Sequence, residues 1–228
     1  MVAPMRLFRA FPFVALLLLA GLTAGCGRPE GLLVGETTVP AADLEEAAAE
    51  LRASFEVEGA ATLRWHLLEF GLAEAALLHD ALPAESAAVR KVAERQADAL
   101  RASDDPAAVF RAWLREQGEP DDMITYTQPN PASMGAREAA AVAVLADGEW
   151  TGPLRTATGW ELLYLVERVP GPRNRANVGT YRMTFPVGTP ADRARAREAW
   201  DTLPLAGNPG ILDVLPLEFR AGRVQETP

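Results

Sequence analysis

The stretch from Met134 to Glu167 constrains the fold of this chain more tightly than any other. It reads M-G-A-R-E-A-A-A-V-A-V-L-A-D-G-E-W-T-G-P-L-R-T-A-T-G-W-E-L-L-Y-L-V-E. An alanine-rich run (Ala136 to Leu145) leads to an Asp147-Gly148 turn, then to Trp150 and Thr151, a Gly152-Pro153 break, and the large apolar side chains of Trp160 to Val166. A short helix, a tight turn and two strands follow from that order, with Gly and Pro at the breaks. The expected class is α+β, with helices packed on a small antiparallel sheet.

The first residues set the compartment. Arg6 and Arg9 precede an apolar run, Phe11 to Leu19, which ends in Ala20-Gly21-Leu22-Thr23-Ala24-Gly25-Cys26. A basic start, a short apolar middle and small residues before a cleavage point describe a secretory signal over residues 1–25, too short for a spanning helix of about 20 residues. Cys26 is the one cysteine of the chain, so no intrachain disulfide can form and the exported protein must be stable on packing alone. The position of Cys26 after Ala24-Gly25 resembles a bacterial lipoprotein lipobox, with Thr23 where that motif usually has Leu. The resemblance implies an acylated Cys26 as first mature residue and attachment through lipid. Gly27 rather than Asp after it implies sorting to the outer membrane, facing the periplasm.

Losing residues 1–25 removes two arginines and no acid, which moves the formal charge from −9 to −11. That balance disfavours nucleic acid and offers no polybasic support on anionic lipid. With 49% apolar residues the chain can bury a substantial core, and 228 residues hold one domain with helical additions or two small domains. Two histidines, His66 and His79, with no cysteine beyond Cys26, leave no metal site to predict.

After a tether, residues 26–31, Leu32 to Pro40 reads as strand, turn, strand. Leu44, Ala47, Ala48 and Leu51 then recur at helical spacing, and Leu63, Leu67, Phe70, Leu72, Ala75 and Leu78 mark the buried side of a second helix. A helix from Ser86 to Ala102, with Ser86 as its cap, turns Val89, Val92, Ala93, Gln96, Ala97 and Leu100 inward. Asp105-Pro106 opens another, carrying Val109, Phe110, Trp113 and Leu114. Leu78 to Leu82 is open to two assignments: a strand, or the end of the preceding helix. In the second case the strand comes from Thr180 to Phe185, whose residues suit a sheet. Beyond Pro170-Gly171-Pro172 a further strand and helix follow, and Pro83 to Leu100 sets against Pro186 to Leu203 as a weak internal repeat.

The spacing L-x-x-G-E-x-x-G-P-x-x-T-x-x-G-W-x-L-x-x-L-x-E resembles the last third of a parvulin-type peptidyl-prolyl isomerase domain. The strand, G-E-x-x-V and D-L-E-E-A pattern in front of it resembles the N-terminal helical segment of SurA- and PrsA-type periplasmic folding factors. The resemblance implies an N-terminal helical segment (32–74), a parvulin-like domain (75–169) and a C-terminal αβ extension (178–228). It also implies unfolded or extended polypeptides as clients, with no cofactor.

Carried over position by position, the resemblance assigns His79, Thr156 and Glu161 to the catalytic positions, and Met134 and Trp160 to substrate binding. Glu161 stands where the family has its second histidine, and Glu138 where it has a pocket phenylalanine. The acidic or cysteine position has no counterpart. A carboxylate where a proline ring must be desolvated costs several kcal/mol unless it points away. The expectation is therefore a folding factor with weak or absent isomerase activity, or a non-catalytic chaperone or scaffold lipoprotein of the envelope.

Overall fold

The computed structural model describes residues 30–54, 59–120, 123–171 and 176–225. The signal segment, Cys26 and most of the tether lie outside them. A hairpin opens the fold, β1 (Gly31–Val34) and β2 (Thr37–Pro40), and leads into α1 (Ala41–Ser54). Leu44, Ala47, Ala48 and Leu51 of α1 are all buried, as their spacing predicts, while Glu45 and Glu46 face solvent.

The second helix is bent. α2 (Ala60–Leu67) passes through a wide turn, Leu68–Leu72, into α3 (Ala73–Ala81). Phe70 and Gly71 leave helical geometry there, Gly71 at φ 142°, a conformation in which a β-carbon is strained. The bend keeps Leu63, Leu67, Leu72, Ala75 and Leu78 inside but swings Phe70 out, 36% exposed and beside His66. Because α3 runs to Ala81, Leu78 to Ala81 is helix and Leu82 follows as its cap, with no strand there.

α4 (Pro83–Arg101) starts three residues before Ser86, with Pro at the first helical position, where no N–H is required. Ser86 is thus interior and buried rather than a cap, and Val92, expected inside, is 42% exposed. α5 (Pro106–Glu116) has the acidic cap that the sequence predicts, the Asp105 carboxylate accepting from the Ala108 N–H at 3.0 Å. Then come β3 (Thr125–Thr127), α6 (Pro131–Met134), α7 (Ala136–Val144), β4 (Leu154–Arg155), β5 (Gly159–Pro170) and β6 (Ala176–Pro186). α8 (Pro190–Thr202) opens on a reciprocal Thr189–Asp192 capping box, and β7 (Leu205–Gly207), α9 (Pro209–Leu212) and α10 (Leu217–Arg220) finish the fold. The gapless repeat does not hold in structure. It sets the first residue of α4 against the last of β6, and the interior Ser86 against the cap Thr189.

The chain is α+β, with two small antiparallel sheets flanked by helices: β2-β1-β7 and β3-β6-β5-β4. In the larger sheet Glu161 pairs with Thr184, Leu162 with Met183, Leu163 with Arg182 and Tyr164 with Tyr181. Thr180 to Phe185 is therefore the strand beside Trp160 to Val166. Alternation sends Leu162, Tyr181 and Met183 to a core under α4 and α5, with Phe110 and Leu100. Leu163, Leu165 and Val178 go to the opposite face and the main core.

That main core also holds Leu32, Leu67, Ala140, Trp200, Leu205 and Leu215, so it runs through all three expected segments. Trp200 is fully buried, its ring 6.2 Å from that of Trp65 and 4.8 Å from that of Phe219. This contact joins the N-terminal helices to the C-terminal extension. Trp200→Ala should lower the unfolding free energy by roughly 3–5 kcal/mol in a denaturant titration, with one transition lost as a whole rather than a C-terminal piece alone.

Candidate functional site

Three of the nominated residues meet at the tight turn between β4 and β5. His79 lies near the end of α3 and is 4% exposed. Its Nε2 is 3.1 Å from both the Thr156 and the Gly159 carbonyl oxygens, and its Nδ1 is 2.6 Å from the Ser86 hydroxyl. Carbonyls only accept, which assigns the proton to Nε2 and makes Nδ1 the acceptor of the Ser86 O–H. Burial, with the Arg155 charge nearby, holds the His79 pKa below its ordinary value of 6.5, against the pull of the two carbonyls. The imidazole is neutral at pH 7 and both nitrogens are engaged. It fastens the end of α3 and the first turn of α4 to the β4–β5 turn.

Gly159 explains the sharpness of that turn. At φ 148° a β-carbon would lie 2.2 Å from the Phe185 carbonyl oxygen, so only glycine lets β5 come this close to β6. Trp160 follows it, donating from Nε1 to the Ser86 carbonyl at 3.1 Å, with its ring edge-on to His79 at 5.4 Å and under the Arg90 guanidinium at 5.3 Å.

On the other side of the turn the network continues through hydroxyls to a buried acid. The Thr158 hydroxyl donates to Glu161 Oε1 at 2.7 Å, and the Thr156 hydroxyl is 3.0 Å from that of Thr158. Glu161 is 1% exposed; its Oε2 lies 3.4 Å from Arg182 Nη1 and has no hydrogen bond. Glu138, from the first turn of α7, is also buried at 7% exposure, its carboxylate folded over Gly135. Burial first, and the charge of Glu161 second, push the Glu138 pKa up to about 7. The Arg182 and Arg137 charges pull the other way without cancelling the rise, so Glu138 holds its proton to a higher pH than an ordinary carboxyl.

His79, Thr156 and Glu161 therefore belong to one connected set, but Met134 does not. It is 6% exposed and packed in the main core, and it lines neither of the two clefts beside this region. The first cleft, about 160 Å³, is bordered by Asp43, Leu72, Arg137, Pro153, Arg155 and Trp160. The second, about 640 Å³, lies between the β1–β2 turn, α3 and α8, lined by the apolar Leu77, Leu78, Leu82 and Ala199 and by the charged Glu36, Asp80, Asp192 and Arg195, the last two paired with each other. Among the described residues no cluster of three or more His, Cys, Asp or Glu side chains is placed to hold a metal, and no helix is long and apolar enough to cross a membrane.

Sequence reasoning missed Ser86 as the partner of His79, and Arg182 and Arg155 altogether. Arg182 sits two residues from Thr184, the partner of Glu161, and so shares its face of the sheet; the signal needed only the β5–β6 register. No protein-family model, curated protein or solved structure matches this chain.

The raised Glu138 pKa has a definite sign. Unfolded, the carboxyl loses its proton near 4.5; folded, near 7. The stability it contributes is complete below pH 4.5 and is lost as the pH rises through 7, by at most about 3 kcal/mol. Glu138→Gln removes this dependence. Its melting temperature should exceed that of the parent at pH 8 and match it within a degree or two near pH 4.5, by calorimetry across the series.

Proposed function

We propose that this chain is a lipid-anchored, periplasm-facing folding factor of the parvulin type, which holds extended polypeptides and has little or no prolyl isomerase activity. The observation that carries the reading is the closed state of the nominated site beside an open apolar cleft. Rotation about a prolyl bond meets a barrier of roughly 18–20 kcal/mol, and lowering it requires an apolar pocket for the ring and polar groups aimed at the twisting amide. Here His79, Thr156 and Glu161 are turned on one another and buried, and Met134 is part of the core. Neither nitrogen of His79 is left for a substrate.

The parvulin reading has one departure in the order of the strands. It requires a strand beside the G-W-E-L-L-Y-L-V segment, and β6 fills that place, arriving after the helices in the chain instead of before them. The holding role is supported by the larger cleft, whose apolar floor suits an apolar side chain of an extended segment.

With residues 1–25 removed, the protein should leave the isomerisation rate of a prolyl peptide unchanged in a protease-coupled assay, and should suppress aggregation of a reduced client at near-equimolar ratio. Ala81→Arg puts a bulky cation at the mouth of the larger cleft and should weaken suppression at least about fivefold with an unaltered melting curve. Acceleration of the peptide that His79→Ala abolishes would sink the non-catalytic reading. Loss of both activities would leave a passive scaffold of the envelope.

The anchor is tested separately. Cys26→Ser should move the protein from the membrane to the soluble fraction and abolish incorporation of labelled palmitate.

A further inference from the structure

We propose that the small cleft bounded by β2, the first turn of α1, α3 and the Pro153–Arg155 segment is a carboxylate-binding site, with Arg155 as its main donor. Arg155 is only partly exposed, yet its guanidinium makes a single hydrogen bond, from Nη2 to the Ala76 carbonyl at 3.3 Å. Among the described residues no carboxylate comes within ion-pair distance of it. The contrast with Arg197 is direct, since that guanidinium is met by Glu69, Glu74 and Asp201. A guanidinium keeps its charge at any accessible pH and carries five N–H donors in a planar fork. Burial works against the charged form of Arg155, and Asp43 and Asp80 compensate only from a distance. A charge held this way is completed by an anion from outside.

The surroundings select the kind of anion. Arg137 stands in the same lining, its Nη1 engaged by the exposed Glu46 at 3.1 Å, and Asp43 is the one acid that borders the cleft. With Arg137 taken up by Glu46, Arg155 is the guanidinium of the lining left to meet an added anion, and Asp43 stands beside it, so a single negative charge is the most the cleft takes; a dianion would meet Asp43 with surplus charge. Pro40, Leu72, Pro153 and Trp160 form apolar walls, and a volume of about 160 Å³ admits a carboxylate with a few attached carbons and little more. The planar fork of Arg155 matches a carboxylate in two parallel hydrogen bonds. The ligand class is therefore a monocarboxylate, either the free end or acidic side chain of a polypeptide or a small organic acid. The site adjoins the His79–Glu161 network, sharing Trp160 with it and lying close enough for the Arg155 charge to act on His79, but it does not depend on whether the protein holds unfolded clients.

The indole N–H of Trp160, which borders the cleft, reports on occupancy by NMR. The full chain without residues 1–25 is titrated at constant ionic strength with acetate, with an acetylated tripeptide bearing a free C-terminus, with its amide, and with sulfate. Saturable movement of the Trp160 resonance is expected with acetate, and none with the amide or sulfate. A response to acetate and free-acid peptide assigns a polypeptide end, and a response to acetate alone assigns a small acid; either supports the site. Arg155→Lys keeps the charge without the fork and should bind about tenfold more weakly, while Arg155→Gln should not respond. Should Arg155→Gln fail to fold, Arg155→Lys carries the test. No saturation by about 50 mM, an equal response to sulfate, or a response unchanged in Arg155→Lys would overturn the proposal.

Discussion

The pairing of β5 with β6 is the constraint on which the rest of the structure depends. They are the two longest strands among the described residues, twelve and eleven residues, matched from Gly159–Pro186 to Pro170–Ala176 with one irregularity between Leu165 and Glu167. Both faces of the pair are covered, one by α4 and α5 and the other by the main core, so each strand must be apolar on both sides where it crosses the interior. Leu162 and Met183 on one face, and Leu163, Leu165 and Val178 on the other, meet that demand. Toward the β4–β5 turn the inner face becomes more polar, with Glu161, Arg182, Thr156 and Thr158 collected there, while Thr180 is a further buried polar side chain opposite Leu165.

A buried polar group of this kind is stable only if its members satisfy one another. His79 meets the requirement fully: two carbonyls, one hydroxyl and the edge of Trp160. Glu161 meets it in part. Thr158 supplies one hydrogen bond, Arg182 a charge at 3.4 Å, and Oε2 is left without a hydrogen bond. Removing one partner of such a set leaves the others desolvated, which is worse than never having had them. The same residues therefore hold α3, α4, α7 and the sheet in register.

Much of the architecture was legible because it is written at short range. The buried stripe of α1, the Asp105 cap and the Thr-Gly-Trp entry to β5 depend on residues within two turns or one hairpin of each other. Ser86 was misread because a serine before an apolar helix looks like a cap; Pro83 is a better first residue and moved the start forward. Phe70 was misread because periodicity assumes a straight helix, and Gly71 bends it. The identity of the strand beside β5 was not decided by the sequence at all, since alanine and leucine in Ala75 to Leu82 suit either state and pairing is set across the chain. The contacts of His79 with the Thr156 and Gly159 carbonyls and with Ser86 are set in the same way, across the chain.

The β2-β1-β7 sheet has a bearing on how the protein comes to be folded. Leu32 of β1 pairs with Gly207 of β7, so the first strand waits for a partner more than three quarters of the chain away. Closing such a span is slow, because the entropy of the intervening loop is lost before the contacts that offset it form. Trp200 and Leu215 enter the core only with that closure. A chain without the segment that carries Trp200, β7 and Phe219 cannot complete the β1 edge or the Trp65–Trp200–Phe219 cluster, so the N-terminal hairpin and α2 reach their final packing only when that segment docks.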